Sequence, residues 1–168
     1  MEIFLYNTLF YSIMFSKNEY KVLEYLFKHP NHAITARALA KKIYLSHTLV
    51  NSILNDLNQK KYLNKVSHAV SNEFSLNLDE KQVVTEKRLY NIRKIYESGL
   101  IDFLEDAFEF PKSIVLFGSF ERGEDNENSD IDIAVESKIK KRLDFQKFEK
   151  FFSKPIEMFN LDETTPKA

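Results

Sequence analysis

Two aspartates separated by one residue, Asp130 and Asp132, are the residues of this sequence best placed to do chemistry. They stand in the segment DIDIAV, whose polar and apolar residues alternate as in a β-strand with one buried face. This alternation puts both carboxylates on one strand face, about 6–7 Å apart at roughly 3.3 Å per residue, and turns Ile131, Ile133 and Val135 towards a core. Carboxylate oxygens arranged in this way are suitable ligands for hard divalent cations such as Mg²⁺.

A glycine-serine pair precedes the aspartates. The apolar run SIVLF predicts a buried strand, and Gly118-Ser119 directly after it predicts a tight loop. Gly118 lets the backbone approach a phosphate group without a Cβ in the way, and the Ser119 hydroxyl and nearby backbone N–H groups can bind phosphate oxygens. Two Mg²⁺ ions held about 3.5–4 Å apart stabilise both the attacking and the leaving oxygens of an in-line displacement at phosphorus.

The pattern G-S-F-E-R-G-x5-S-D-I-D-I resembles the nucleotidyltransferase superfamily that includes DNA polymerase beta, and specifically its minimal-nucleotidyltransferase branch. The resemblance covers about residues 100–161. It implies two Mg²⁺ ions as cofactors and a nucleoside triphosphate as substrate, with ATP favoured. It implies metal binding by Asp130 and Asp132, and nucleotide binding by Gly118, Ser119, Arg122, Gly123 and Ser129.

The family draws a third carboxylate from a following strand, and Glu157 is the candidate by position. Ile156, Met158 and Phe159 around it are strand-forming residues. Aspartate is commoner than glutamate at this position in the family. Asp162 and Glu163 are rival ligands, and Glu157 can alternatively be a simple exposed strand carboxylate. The polar stretch 125–128 is expected to form a solvated loop.

Family likeness further implies transfer of a nucleoside monophosphate to an acceptor hydroxyl, with release of pyrophosphate. Small members resemble antitoxins that adenylylate a tyrosine on a partner protein of the HEPN ribonuclease type. One alternative is a DNA-binding regulator whose nucleotidyltransferase module binds nucleotide without turnover. Another is an enzyme that modifies a nucleic acid or a small molecule.

The first half of the sequence predicts a winged helix-turn-helix. Helical periodicity over 17–29, 36–43 and 47–61 predicts three helices, the second burying Ala38, Leu39 and Ile43. Thr35 and Ser46 are N-cap candidates, and Leu49 is expected on the buried face of the third helix. Two short alternating segments, 62–67 and 72–76, predict the hairpin that would form the wing.

In a winged helix, the third helix enters the major groove of DNA. The candidate DNA-binding residues are therefore the early polar side chains of that helix, the lysines at its end and the wing, namely His47, Thr48, Asn51, Ser52, Lys60, Lys61 and Lys65. Residues 15–77 carry nine basic against four acidic residues, which suits a polyanion. The third helix has no arginine, however, so an assembly platform that binds no DNA is the alternative.

The sequence as a whole predicts an α+β protein in three parts: a winged helix at 1–77, a helical connector at 78–99, and an α/β nucleotidyltransferase core on a small mixed sheet at 100–168. The connector is expected to be a spacer with a solvated charged face, or else a dimer-forming helix. The aromatic-rich segment 1–15 is expected to pack or to form a homodimer, because it is too short to span a membrane. The chain has no cysteine, and a cytoplasmic location without membrane association is expected.

Overall fold

The structure is a computed structural model that describes residues 15–161. The chain divides between Val83 and Val84 into two compact units. The predicted dimerisation segment, apart from Phe15, and the rival ligands Asp162 and Glu163 lie outside the described residues. Within residues 15–161, no helix combines the length and the apolar character that crossing a bilayer requires.

Between residues 15 and 80, the first unit contains three helices: α1 (Lys17–Lys28), α2 (Ala36–Ile43) and α3 (His47–Gln59). Each helix begins where a side-chain oxygen accepts a hydrogen bond from a backbone N–H of its first turn, with Ser16, Thr35 and Ser46 as the N-caps. Such caps satisfy donors that the helix itself leaves unpaired, so the sequence fixes where the three helices start.

A small antiparallel sheet completes this unit. Strand β1 (Ile34–Thr35) pairs with β3 (Asn72–Leu76), which pairs with β2 (Leu63–Ser67). Leu63 lies opposite Leu76, and the inward side chains Phe74 and Leu76 are buried. Three helices followed by a two-stranded wing form a winged helix, as predicted. The two-residue strand β1 was not predicted, since so short a strand leaves no periodic signal.

Two burial predictions in this unit are wrong. Ala38 is exposed, whereas Ala36, Leu39, Ala40 and Ile43 form the buried face of α2. Residues three and four apart share a helix face, and Ala38 lies outside the series that Leu39 and Ile43 define. Leu49 on α3 is 37% exposed, and the core is instead filled by Val50, Ile53, Leu54 and Leu57.

Helix α4 (Lys81–Ser98) leads into the second unit and ends at Gly99, whose φ is +75°. Helix α5 (Leu100–Ala107) follows this glycine. Then come β4 (Ser113–Phe117), the short helix α6 (Gly118–Arg122), β5 (Ile131–Glu136), α7 (Gln146–Phe152) and β6 (Ile156–Leu161).

The three strands of the second unit form a mixed sheet in the order β4-β5-β6. Strand β4 runs antiparallel to β5, and β5 runs parallel to β6 through the crossover helix α7. One sheet face packs against the helices in a core that includes Leu104, Phe120, Ile133 and Phe148. The predicted small mixed sheet is confirmed, and its other face is left to carry the polar side chains.

Candidate active site

The carboxylates of Asp132 and Glu157 lie side by side on the open face of the mixed sheet. In the strand register, Asp132 is the partner of Glu157 on one side and of Phe117 on the other. Partners in adjacent parallel strands point to the same face and lie about 4.8 Å apart. Glu157 is exposed and Asp132 is partly exposed, so both carboxylates can reach a ligand in solvent.

Asp130 directly precedes β5 and is exposed. The backbone N–H of Ile131 donates to the carbonyl oxygen of Pro155 at 2.9 Å, which extends the pairing of β5 and β6 to this point. The three predicted metal ligands therefore belong to the same end of two paired strands. Three carboxylates without a nitrogen or sulfur donor suit a hard cation such as Mg²⁺.

Gly118 lies directly against the Asp132 side chain. Its φ is +76°, and a Cβ placed there would collide with Asp132 Oδ2 and lie 3.0 Å from Asp132 Cγ. A side chain at position 118 would therefore displace the carboxylate. The partly exposed Ser119 follows in α6. The structure thus brings the predicted phosphate-binding turn into contact with a predicted metal ligand.

The other predicted nucleotide-binding residues have partners within this unit. Arg122 is exposed and pairs with Glu124 at 2.7 Å. The Ser129 hydroxyl accepts a hydrogen bond from the Asn126 N–H at 3.0 Å, which shapes the loop before Asp130. Gly123 is buried, and a Cβ there would lie 2.5 Å from the carbonyl oxygen of Val84 on α4. In the structure, Gly123 therefore allows close packing of the loop on a helix.

Sequence analysis missed a buried polar cluster behind the site. Lys87 is fully buried, and Asn91 and Asp125 are each 2% exposed. The expectation of a solvated loop is therefore wrong at Asp125. Lys87 is an exception to the solvated charged face expected of the connector, on which Lys81 and Arg88 are exposed. The available signal was the spacing of four residues that aligns Lys87 and Asn91 with the apolar Val83 and Ile95 on one face of α4.

Burial also changes the chemistry of Lys87. Loss of hydration lowers the pKa of its ammonium group below the usual lysine value, and the neighbouring Asp125 carboxylate opposes this shift without cancelling it. The side-chain nitrogen donates to Asp125 Oδ1 and, at 2.8 Å, to the Asp125 carbonyl oxygen. All its contacts point into the protein, so Lys87 does not reach a bound nucleotide.

The open face of the sheet also exposes aromatic rings. Phe117 and Phe159 are 38% and 41% exposed, and their ring centroids lie 5.6 Å apart. Val115 on the same face is 46% exposed. The carboxylates are therefore bordered by an apolar surface, and the prediction that SIVLF is a buried strand is wrong for Val115 and Phe117.

In the first unit, the structure leaves the predicted DNA-binding residues accessible. His47, Thr48, Asn51 and Ser52 are exposed on the first two turns of α3. The lysines at positions 60, 61 and 65 are exposed as well. Lys60 pairs with Glu19 at 3.3 Å, and Lys65 donates to Asn55 Oδ1 at 3.1 Å. These surface partners can be exchanged for phosphate groups at little cost.

Comparison with known proteins agrees with this description of the second unit. The nucleotidyltransferase domain family matches residues 97–162. No curated protein matches the sequence. This family match includes β4 to β6 and every predicted metal ligand that the structure describes.

Solved structures of transcription regulators are similar to the chain at low identity. MepR, a regulator of the Staphylococcus aureus multidrug efflux pump MepA, is 20% identical with a TM-score of 0.46, over 61% of this chain and 76% of that one. The PcaV regulator of Streptomyces coelicolor, bound to its natural ligand, is 14% identical with a TM-score of 0.38, over 64% and 87% of the two chains.

The MepR–DNA complex aligns at 15% identity and a TM-score of 0.40, over 62% of this chain and 96% of the regulator. Alignments below a TM-score of 0.5 add nothing to the fold, which the order of helices and strands establishes directly. The chain therefore combines a winged-helix fold with a second region, residues 97–162, that matches the nucleotidyltransferase domain family.

Proposed function

We propose that the second unit is an active, metal-dependent enzyme that transfers a nucleoside monophosphate from a nucleoside triphosphate to an acceptor hydroxyl. ATP is the favoured donor because of the family resemblance. The observation that carries the proposal is the contact of Asp132 with the Gly118 backbone, with Glu157 in register beside it. This arrangement puts two metal ligands next to the turn that would hold the phosphates.

In the proposed reaction, the acceptor oxygen attacks the α-phosphorus of the triphosphate. The new phosphorus–oxygen bond forms as the bond from the α-phosphorus to the oxygen bridging to the β-phosphate breaks, and pyrophosphate leaves with that electron pair. Glu157 accepts the hydroxyl proton, because it is the exposed carboxylate on the outer strand of the pair.

Asp130, Asp132 and Glu157 would hold Mg²⁺, which supplies charge neutralisation for the phosphate oxygens when it is bound. Gly118 and Ser119 would bind the triphosphate through the backbone and a hydroxyl group. The exposed Arg122 can exchange Glu124 for a phosphate oxygen, since their ion pair is solvated on both sides. Ser129 acts on the nucleotide through the loop geometry that it maintains.

The sheet surface beside the carboxylates favours a protein acceptor. An in-line displacement brings the acceptor from the side opposite the leaving pyrophosphate. Val115, Phe117 and Phe159 are exposed and apolar on this surface, and such side chains suit contact with a protein acceptor. A nucleic acid would need basic residues there to neutralise its phosphates, whereas the adjacent charged groups are carboxylates.

The experiment is incubation of the pure protein with α-labelled ATP, Mg²⁺ and lysate of its source organism, beside the Asp130→Asn/Asp132→Asn double variant. We expect label on one macromolecular band with the wild type and none with the variant. A protein band supports the acceptor class proposed here, and an RNA band contradicts it. Failure of all four nucleotides to give a product, despite measurable nucleotide binding, would contradict catalysis.

A second function, DNA binding by the first unit, is favoured by the polar exposed surface of α3. The exposed residues of its first two turns include the short polar side chains of Thr48, Asn51 and Ser52, and lysines stand at its end and on the wing. The chain would then act as a regulator whose nucleotidyltransferase domain binds nucleotide. Gel retardation with a salt series tests this, because neutralised phosphates give a steep loss of affinity with salt. Equal weak binding to every sequence would contradict a regulator.

A further inference from the structure

A cluster of four polar side chains is buried behind the candidate active site. Lys87 and Asn91 come from α4, Asp125 from the loop before β5, and Lys154 from the turn before β6. Lys87 is fully buried, and the Lys154 side chain is 10% exposed. Buried charges of this kind occur where each of them is paired.

The Asp125 carboxylate is the centre of the cluster. Its Oδ1 accepts from Lys87 Nζ and, at 2.7 Å, from Asn91 Nδ2. Its Oδ2 lies 3.2 Å from Lys154 Nζ. Lys154 Nζ also donates to the carbonyl oxygen of Asn126. The carboxylate of the Asp125 loop therefore binds groups from two other segments, α4 and the turn before β6, and both of its oxygens are used.

These three segments lead directly to the residues of the candidate site. Asn91 also donates to the Phe120 carbonyl oxygen at 2.8 Å, which fixes the short helix that begins at Gly118. Lys154 stands three residues before Glu157, and Pro155 next to it accepts from the Ile131 N–H at 2.9 Å. Movement of the Asp125 loop would therefore shift the start of both carboxylate-bearing strands.

Stability alone does not account for such a cluster. Burying a lysine and a carboxylate costs several kcal/mol of hydration, and apolar residues of similar volume are often as stable or more stable. Hydrogen bonds between charged groups, in contrast, fix direction and distance closely. A charged cluster behind the site is therefore suited to hold the adjoining segments in defined positions.

We propose that Asp125, held by Lys87, Asn91 and Lys154, is a positioning residue that sets the distance between the carboxylates of Asp130, Asp132 and Glu157. This inference rests on the proposed metal-dependent function. Groups that orient metal ligands from behind typically change metal affinity by about 10–100-fold when they are removed. The cluster would act in this way without touching metal or nucleotide.

The test uses the double variant Lys87→Met/Asp125→Asn and measures the affinity for Mn²⁺ alone, by calorimetry and by the spin-resonance signal of the bound ion. The variant removes the Lys87 and Asp125 charges together and leaves Lys154, which is 10% exposed and keeps the Asn126 carbonyl oxygen as an acceptor. The amide oxygen introduced by Asp125→Asn can still accept from Asn91, so we expect the variant to fold. Mn²⁺ affinity should fall by about 10–100-fold. The melting temperature should change far less than removal of Asp125 alone would change it.

The matched control is Lys112→Met/Glu136→Gln, which removes another lysine–carboxylate pair of the same unit. Lys112 pairs with Glu136 at 2.6 Å at the other end of β5, and its side chain is 67% exposed. The Mn²⁺ affinity of this control variant should equal that of the wild type. If the control and the cluster variant lose affinity equally, the loss does not depend on the buried cluster and the positioning role is overturned.

A second variant, Lys154→Met, applies if the double variant does not fold. It leaves Lys87 and Asp125 paired and removes the two links of the turn before Glu157, to the Asp125 carboxylate and to the Asn126 carbonyl oxygen. We expect a smaller loss of Mn²⁺ affinity at an unchanged melting temperature, and unchanged affinity would overturn the inference.

The proposed function and the positioning role fail in different ways. If Asp132→Asn abolishes Mn²⁺ binding while a folded cluster variant keeps it in full, the positioning role is overturned and the metal site stands. If the wild type binds no Mn²⁺, or if Asp132→Asn binds as well as the wild type, the proposed metal site fails, and the positioning role fails with it.

Discussion

The lysines named in the first unit stand at its surface, whereas two lysines of the second unit are largely or fully buried behind the candidate site. Lys60 has a side chain that is 51% exposed and pairs with Glu19 across solvent. Lys87 has no exposed area and pairs with Asp125 in the core. A solvated pair is worth little to stability and is free to meet another partner. A buried pair is costly to break and holds its segments in place.

The comparison teaches that residue type says little about role until burial is known. Both units are rich in lysine and carboxylate residues, and both were expected to carry them on solvated faces. In the first unit the seven predicted DNA-binding residues are all exposed. In the second unit the exposed acids Asp130 and Glu157 are candidates for ligand binding, and the buried Asp125 is a candidate for positioning.

The largest effect is expected from a carboxylate on the open sheet face. Asp132→Asn should reduce nucleotidyl transfer by about 10³-fold or more, because electrostatic stabilisation of the reacting phosphate is lost, equal to about 4 kcal/mol. The rate of label transfer from α-labelled ATP to the acceptor measures this loss. Asp144→Asn is the control, since this exposed acid accepts the Gln146 N–H at 2.9 Å and asparagine keeps that acceptor. Equal loss in both variants would contradict a specific role for Asp132.

The next largest effects are expected from alanine substitutions at two glycines, and they should differ in kind. The two glycines have nearly the same backbone conformation, with φ of +76° at Gly118 and +73° at Gly123. Alanine at either position should lower the free energy of unfolding by about 1 kcal/mol through conformational strain alone. At Gly123 the new Cβ would also lie 2.6 Å from the Arg88 backbone nitrogen, which cannot move aside. We expect Gly123→Ala to lower the free energy of unfolding by about 2–4 kcal/mol in total.

Gly118→Ala should instead affect the site more than the fold, because its Cβ would meet the Asp132 side chain, which can rotate away. Urea unfolding and Mn²⁺ titration of both variants distinguish the two effects. Retained Mn²⁺ affinity in Gly118→Ala, or an unchanged unfolding midpoint in Gly123→Ala, would remove the distinction.

The buried lysine should also give a pH-dependent difference in stability. Because burial lowers the folded-state pKa of Lys87, the folded protein binds fewer protons than the unfolded chain between that lowered pKa and the ordinary value of 10.5. The free energy of unfolding of the wild type should therefore rise with pH across this interval, relative to Lys87→Met. Urea unfolding of both proteins from neutral pH towards 10.5 measures the difference. If the free energy of unfolding of the wild type instead falls with rising pH relative to that of Lys87→Met, the pKa of Lys87 is not lowered.

The smallest effect on stability is expected at the surface of the first unit. Lys60→Ala/Lys61→Ala should change the free energy of unfolding by less than about 1 kcal/mol, because both side chains are exposed. If the winged helix binds DNA, each lost phosphate contact should reduce the salt dependence of binding by about one unit of slope. Gel retardation over a salt series measures this. An unchanged slope would exclude these two lysines from the interface.

The sequence alone determined the helix starts, the wing hairpin, the mixed sheet and the motif from Gly118 to Asp132. These features are local: N-caps act within one turn, and strand alternation extends over a few residues. The site spacing was predictable for the same reason, since Asp130 directly precedes the strand that carries Asp132. Gly118 was predicted to permit close backbone approach, and the structure adds that the Asp132 carboxylate occupies part of that space.

Only the tertiary structure decided which charges are buried and which glycine serves the site. Lys87 and Asp125 are 38 residues apart, and their pairing depends on how α4 packs on the loop before β5. No spacing rule connects such residues, because packing brings them together only after the local elements have formed. The register that sets Asp132 beside Glu157 is likewise a property of the folded sheet, since β5 and β6 pair in parallel across an intervening helix.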